Sequence, residues 1–266
     1  MTRVVSGAVL LLVAIGVVWF APPVLFLLAA EILLIVGCIE LASMARASGV
    51  RVPVVIPTCA AMLTAASFAG PVFGGVRAAP VELVLMTALV AIAASALTSW
   101  NGGPDALAST GSALLPALYL GLPIGAMISI RETRGHEALF LLMLTVVVSD
   151  TAQYYSGRAF GRTPLAPRIS PKKTVEGAVG GFVFGALVLV TVGVWWLPQV
   201  PAPLRALLGV TVVALGIAGD LFESMLKRSA GMKDSSALIP GHGGILDRID
   251  ALLFAAPVYY IVLSHV

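Results

Sequence analysis

Long apolar runs, each about the length needed to cross a lipid bilayer, follow one another along most of the chain. The hydrocarbon core of a bilayer is about 30 Å thick and takes roughly 20 helical residues to span. Breaks at Pro, Gly and charge clusters predict nine spanning helices, at roughly 4–20, 24–45, 54–69, 81–99, 112–130, 137–157, 177–197, 203–227 and 246–264. The sequence therefore predicts an all-α, polytopic membrane bundle.

Composition excludes an ordinary water-soluble domain. Hydrophobic residues make up 59% of the 266 residues and charged residues only 11%, whereas soluble domains carry about 25% charged residues. The net charge is +3, but the basic residues lie in loops between apolar runs, so we expect no nucleic-acid partner. We predict one membrane-embedded domain over 1–266. Helices of 1–110 would form a scaffold that could enclose a lipid cavity, and 111–266 would carry the active site.

The distribution of Lys and Arg predicts the orientation, because short cytoplasmic loops are enriched in both residues. With the N-terminus inside, 12 of the 16 basic residues fall in segments predicted to be cytoplasmic. The two longest polar connections, near 158–176 and 228–245, then lie in the cytoplasm and hold most of the charge. We expect the chemistry to reside in these two loops.

Five carboxylates are predicted to converge near the cytoplasmic helix ends. Asp220, Glu223, Ser224 and Lys227 recur at i, i+3, i+4 and i+7, so they share one helix face. Acidic groups near hydrocarbon are costly, and Mg²⁺ prefers such hard oxygen ligands and often shares them with phosphates. The predicted Mg²⁺ ligands are Asp220, Glu223, Asp247 and Asp250. Asp150 is expected to orient a lysine or a second cation.

Basic residues and glycines surround these carboxylates. Glycine permits positive φ and a close backbone approach to a ligand, which favours a phosphate-binding turn over a plain interfacial loop with surface ion pairs. His242 lies between glycines, where a turn-capping or phosphate-binding role is favoured over general-acid catalysis. The predicted substrate-binding residues here are Lys227, Arg228, Lys233, His242, Gly243, Gly244 and Arg248.

A second segment, Ser170 to Gly177, also predicts phosphate binding. Ser170 followed by Pro171 is typical of a helix N-cap and first helical residue. Such a helix start would direct free backbone N–H groups at an anion. A basic loop that only fixes topology or contacts anionic lipids is the alternative. The residues that we assign to this site are Ser170, Lys172, Lys173, Thr174 and Glu176.

The 27 residues from Ser224 to Asp250 resemble the signature of the phosphatidate cytidylyltransferase (CDP-diacylglycerol synthase) family. They follow S-x-x-K-R-x4-K-D and H-G-G-x-x-D-R-x-D without a departure. Asp150 and the segment from Ser170 resemble further features of the family, whereas the first half of the chain matches only as apolar helices. The resemblance implies a polytopic fold, a homodimer in a bacterial inner membrane, and Mg²⁺ bound at Asp220 and Asp247.

The same resemblance implies that CTP and phosphatidic acid are the substrates and that CDP-diacylglycerol and pyrophosphate are the products. Asp220, Asp247, Lys172, Lys173 and Asp150 would be the catalytic residues. Two alternatives remain open. The first is another lipid phosphotransfer enzyme, such as a polyprenol or dolichol kinase-like protein or a cytidylyltransferase for a different lipid phosphate. The second is an ion or proton transporter. A transporter would place acids near mid-membrane in several helices, whereas most acids here lie near helix ends.

Overall fold

The computed structural model describes residues 2–70, 79–239, 241 and 243–266. Helices account for most of these residues, as the apolar runs predict. In chain order the helices are α1 (Thr2–Phe20), α2 (Pro23–Ala47), α3 (Val55–Ala66), α4 (Val81–Ser99), α5 (Ala106–Pro116), α6 (Leu122–Arg134), α7 (His136–Phe160), α8 (Val175–Trp196), α9 (Ala202–Ser229) and α10 (Leu246–Ser264). A five-residue π-helical segment, Ala117–Gly121, joins α5 to α6 without a break.

The predicted polytopic membrane bundle is confirmed, but the count of nine spans is not. Six helices among the described residues are long and apolar enough to cross a bilayer. They are Pro23–Ala47, Val81–Ser99, Ala106–Arg134, His136–Phe160, Val175–Trp196 and Ala202–Ser229. Helix α3, with 12 residues, is shorter than the roughly 20 residues that a spanning helix requires.

Large apolar side chains cover the outside of the bundle. Met86 and Val90 of α4, Phe184 and Trp195 of α8 and Leu12 of α1 are each at least half exposed. In water such a surface would drive aggregation, because it leaves wide apolar patches uncovered. In a bilayer it faces lipid chains, which are as apolar as the side chains themselves. The chain is therefore an integral membrane protein.

Small residues bring the C-terminal helices close together. Helix α8 packs along α7 on one side and against α9 on the other, and α9 packs against α10. A Cβ atom on Gly185 of α8 would collide with Val213 of α9 and approach Ser149 of α7. One on Gly209 of α9 would lie only 2.8 Å from the Ala186 backbone. Such close approach through Gly and Ala is typical of membrane helix packing, and it fixes where each helix end lies.

The prediction of a helix start at Ser170 and Pro171 is wrong. Ser170–Thr174 is a β-strand, β2, that pairs antiparallel with the short strand β1, Pro164–Ala166. The helix starts at Val175 instead, and the Thr174 hydroxyl caps it by accepting from Gly177 N at 3.1 Å. Backbone groups of this segment form hydrogen bonds with strand β1, whereas the local N-cap pattern predicted that they belong to a helix. The free N–H groups predicted beside the lysines are therefore not those of a helix N-terminus at Ser170.

Candidate active site

Charged residues from four elements gather at one end of the bundle. They come from the C-terminal half of α7, from β2, from the end of α9 and from the first turn of α10. All of these elements except β2 are helices held together by the small-residue contacts described above. The sequence predicted this convergence for the carboxylates, and the structure adds which base contacts which acid.

Lys173 of β2 reaches across to α9. Its Nζ lies 2.5 Å from Asp220 Oδ2, and both side chains are partly exposed. Ser224, one helical turn after Asp220, contacts the other carboxylate oxygen at 3.3 Å, as the predicted shared face requires. Asp150 of α7 lies within electrostatic range of this pair and of Arg248. The hairpin therefore holds one predicted catalytic lysine directly on one predicted metal ligand.

Lys227 joins α9 to α10 through two carboxylates. Its ammonium group lies 2.5 Å from Asp247 Oδ1 and also pairs with Glu223, which is fully buried. Lys227 itself is buried. A buried ammonium group needs such partners, because desolvating an unpaired charge is costly. This three-residue cluster forms the inner part of the site.

Asp247 is fixed by hydrogen bonds on its second oxygen. Asp247 Oδ2 accepts from the backbone N–H groups of Ser235 and Gly244, each at 2.8 Å, and the Ser235 hydroxyl lies at the same distance. A carboxylate that accepts several hydrogen bonds is held in a single orientation. The loop between α9 and α10 thus positions Asp247 before any ligand binds.

Asp250 lies at the crossing of α9 and α10. A Cβ atom on Gly219 would collide with the backbone carbonyl of Asp250, so the two helices touch at this point. This contact places Asp250 next to Asp220, which follows Gly219 on α9. Asp250 is within electrostatic range of Asp220, Glu223 and Asp150. The crossing therefore concentrates negative charge from three helices.

The residues present suit a divalent cation. The charged cluster contains five acids and three bases, namely Asp150, Asp220, Glu223, Asp247, Asp250, Lys173, Lys227 and Arg248. This excess of hard carboxylate oxygens fits Mg²⁺. The Glu223 oxygens are buried and, among the described residues, receive no hydrogen bond beyond the ion-pair contact with Lys227. In the part of the chain that is described, no three acid, His or Cys side chains already form a metal-ligating group, and lysines lie between the acids instead.

The Gly-rich turn makes room for acidic side chains of the protein itself. Gly241 and Gly243 both have a φ of 78°, a conformation that other residues rarely adopt. A Cβ atom on Gly243 would meet Asp247 Oδ2, and one on Gly244 would meet Ser235 Oγ and Glu40 Oε1. The glycines predicted a close approach of the backbone to a ligand, and in the structure the backbone closely approaches these side chains of the protein. His242 lies outside the described residues.

The remaining predicted substrate-binding residues lie mainly at the solvent edge. Lys172, Arg228, Lys233 and Arg248 are exposed, and Arg228 contacts the backbone carbonyl of Met232 at 3.4 Å. Successive strand residues point to opposite sides, which explains why Lys172 faces solvent while Lys173 contacts Asp220.

Glu176 and Thr174 shape the loop before α8. The Glu176 carboxylate accepts from the backbone N–H groups of Arg162 and Thr163, at 3.0 Å and 3.2 Å. It therefore holds the start of the β-hairpin, as Thr174 holds the start of α8. Their assignment to substrate binding stays a prediction.

Sequence reasoning missed two residues beside the site. Glu40 of α2 is buried against the loop between α9 and α10 and hydrogen-bonds to Ser235. Tyr119, in the π-helical segment, packs its ring on Phe222 and Phe254, and its buried hydroxyl has no hydrogen-bond partner in the part of the chain that the structure describes. A π-helical turn often marks a functional position. The only sequence signal for Glu40 is an acid late in an apolar helix predicted to run towards the cytoplasm.

Comparison with known proteins gives consistent matches. The profile described as the cytidylyltransferase family matches residues 1–266. A phosphatidate cytidylyltransferase of Pseudomonas aeruginosa is 35% identical over 260 residues, which are 97% of this chain and 94% of that protein. The enzyme of the same name from Aquifex aeolicus is 41% identical over 148 residues, 56% of this chain and 53% of the relative. That from Bacillus subtilis is 42% identical over 154 residues, 56% of each chain.

Several of these alignments span only about half the length of the relative, as with the Aquifex and Bacillus proteins. The family profile nevertheless covers the whole chain, and the Pseudomonas protein aligns over nearly its full length. The resemblance inferred from the Ser224–Asp250 segment is therefore confirmed, and the chain belongs to the cytidylyltransferase family.

Proposed function

We propose that this protein transfers the cytidylyl group of CTP to phosphatidic acid, forming CDP-diacylglycerol and releasing pyrophosphate. The observation that carries the proposal is the meeting of lysines and carboxylates from β2, α9 and α10 at one end of a membrane bundle. A water-soluble nucleotide and a lipid phosphate can both reach such a place. Membership of the cytidylyltransferase family supports the nucleotide, and the names of the relatives support the lipid acceptor.

The proposed reaction is a displacement at phosphorus. A phosphate oxygen of phosphatidic acid attacks the α-phosphorus of CTP, a new P–O bond forms, and the P–O bond to pyrophosphate breaks. The attacking phosphate is already anionic at neutral pH, so the reaction needs no strong general base. Positioning and charge neutralisation then supply most of the acceleration, as in other phosphoryl transfers.

The acids and bases of the site divide these tasks. Asp220, Asp247, Asp250 and Glu223 are the proposed Mg²⁺ ligands. Bound Mg²⁺ would supply neutralisation of the charge that develops on phosphoryl oxygens.

Lys173 and Lys227 are the proposed phosphate-binding bases of the inner site. Each is paired with a carboxylate in the structure, and each would be available to phosphoryl oxygens if that carboxylate held a cation instead. The exposed bases Lys172, Arg228, Lys233 and Arg248 are proposed to attract the triphosphate from solution.

We further propose a homodimer in a bacterial inner membrane, with the N-terminus and the site in the cytoplasm. The family resemblance supports the dimer, and the distribution of Lys and Arg supports the orientation. Asp150 is proposed to orient Lys173 or to help hold a second cation. The mass of the purified protein in detergent, measured by light scattering with the detergent contribution subtracted, tests the dimer.

Turnover by the purified protein tests the proposed activity. In detergent with labelled CTP, phosphatidic acid and Mg²⁺, we expect CDP-diacylglycerol and pyrophosphate in equal amounts. Asp220→Asn and Asp247→Asn each remove a charge from the proposed metal site, and we expect turnover to fall by about 100-fold or more. Asp105→Asn, at an exposed position before α5, is the matched control and should retain the wild-type rate.

Product analysis separates the alternatives. Formation of a CDP-lipid only from a polyprenyl phosphate would replace phosphatidic acid as the acceptor. Phosphorylation of a lipid alcohol would indicate a kinase. If no lipid phosphate gives a CTP-dependent product while the protein remains folded, the proposed activity is wrong.

A further inference from the structure

Glu40 connects the N-terminal half of the chain to the site. Its side chain lies in α2, is only 3% exposed and has four hydrogen-bond donors within reach, one of which, the Ser235 hydroxyl, it shares with Asp247. Oε1 accepts from the Ser236 hydroxyl at 2.6 Å and from Ile245 N at 3.0 Å. Oε2 accepts from the Ser235 hydroxyl at 2.9 Å and from Leu246 N at 2.9 Å. All four donors belong to the loop before α10 or to the start of α10.

Two of these donors are backbone N–H groups that a helix cannot satisfy by itself. The first turn of any α-helix leaves such groups without intrahelical partners, and Ile245, which precedes α10, provides no side-chain cap. A carboxylate is a favourable partner at this helix end, because the N-terminus carries partial positive charge. Glu40 therefore caps α10 from a helix about 200 residues earlier in the chain.

The contacts of Glu40 continue to a proposed metal ligand. Ser235 Oγ lies 2.9 Å from Glu40 Oε2 and 2.8 Å from Asp247 Oδ2, so the hydroxyl sits between the two carboxylates and its single proton can be donated to either of them. Gly244, whose N–H donates to Asp247, has no room for a Cβ atom, because Ser235 and Glu40 fill that space. A displacement of Glu40 would therefore change the position of Asp247.

We propose that Glu40 is a positioning residue, which holds the first turn of α10 and, through Ser235, orients Asp247 for metal binding. The inference rests on the proposed function for the role of Asp247. The hydrogen bonds themselves do not depend on it, so they can be tested apart from activity.

Glutamine cannot replace Glu40 in this role. A carboxylate offers acceptor oxygens on both arms, whereas an amide has one oxygen and one NH₂ group that only donates. In either amide orientation the NH₂ group would face two donors, one of them a backbone N–H. Aspartate is one methylene shorter and would not reach all four. Glu40→Gln therefore tests the hydrogen-bond geometry with almost no change in side-chain volume.

Hydrogen exchange of the protein in detergent, without substrate or metal, tests the geometry. In Glu40→Gln we expect the amides of Ile245 and Leu246 to exchange at least about 10-fold faster than in the wild type. Glu82→Gln, an exposed glutamate at the start of α4, is the control and should leave these amides unchanged. Equal exchange rates in Glu40→Gln and the wild type would overturn the proposal, whatever the protein catalyses.

Metal dependence tests the positioning role. We expect Glu40→Gln and Ser235→Ala each to raise the Mg²⁺ concentration for half-maximal turnover and to lower the maximal turnover. In each variant the two effects combined should amount to about 10- to 100-fold, as is typical for groups that orient metal ligands. The rise in Tm caused by Mg²⁺ should shrink in the same two variants. Because both variants act on one network, their combined effect should be smaller than the product of the single effects.

Two further results would overturn the role of Glu40. One is an unchanged half-saturating Mg²⁺ concentration in Glu40→Gln, with activity lost only in proportion to the unfolded fraction. The other is full activity and normal Mg²⁺ dependence in Ser235→Ala, which keeps most of the packing and removes only the bridge. If wild-type protein makes no CDP-lipid, the proposed function fails, and the exchange experiment still decides the geometry.

Discussion

Lys227 illustrates how one residue can serve both stability and chemistry. Its ammonium group is the contact between Glu223, which is fully buried, and Asp247, which begins α10. Removing one member of a buried ionic group leaves its partners charged and without compensation. The lysine therefore stabilises the site as long as its partners bind no other cation.

The structure predicts a large loss of stability for Lys227→Met. Because Glu223 would be left buried without its ion-pair partner, we expect the free energy of unfolding to fall by about 3–5 kcal/mol. Reversible denaturation in detergent measures this change. Adding Glu223→Gln to this variant should restore part of the loss. Lys233→Met, at an exposed position, should change stability by less than about 0.5 kcal/mol. Similar stability of Lys227→Met and Lys233→Met would contradict the buried pairing.

Among the secondary-structure elements, the crossing of α9 and α10 determines how closely the acids approach one another. The two helices meet at Gly219 and Asp250, where only a residue without a Cβ atom fits. Gly216 lies one turn earlier. A Cβ atom added to Gly216 would lie 3.6 Å from Ala251 Cβ, which is an ordinary van der Waals contact. The two glycines therefore offer a matched comparison on the same helix.

We expect Gly219→Ala to force the helices apart. The added methyl group would collide with the backbone of Asp250, which cannot rotate away, so the free energy of unfolding should fall by about 1–3 kcal/mol. We also expect a clear loss of turnover, because Asp220 would move relative to Asp250. Gly216→Ala should be tolerated in both respects. Thermal unfolding and the CTP assay on the two purified variants provide the measurement. Equal behaviour of the two would show that the crossing does not set the site.

At the scale of the whole molecule, the β-hairpin and the loop before α10 lie at the same end of the bundle, where Lys173 and Asp247 contact α9. The short connection between α8 and α9 lies at the other end, since each of these helices is long enough to span the membrane. The proposed cytoplasmic orientation assigns the charged end to the cell interior.

Cysteine labelling in intact cells tests this orientation. With Cys38 and Cys59 replaced by serine, we expect a membrane-impermeant maleimide to label Gln199→Cys from outside and to label Arg168→Cys only after the cells are opened. Both positions are exposed, so accessibility of the side chain is not limiting. The reverse pattern would place the active site outside the cell and would refute the orientation.

The sequence by itself determined the helices and the shared face of the acids. Helix length and apolar character are local properties, so the long runs predict helices even without knowledge of their neighbours. The spacing from Asp220 to Lys227 likewise fixes one face of α9, and the contacts of Ser224 and Lys227 confirm it. The signature from Ser224 to Asp250 was sufficient to identify the family.

Tertiary structure alone decided which groups pair and where the hairpin lies. Ser170 and Pro171 carry a local helix-start pattern, yet pairing with Pro164–Ala166 makes the segment a strand, because a partner strand outside the local window satisfies the backbone. The capping of α10 by Glu40 joins residues about 200 positions apart. No local pattern encodes such a contact, since it depends on how α2 packs against the end of the bundle.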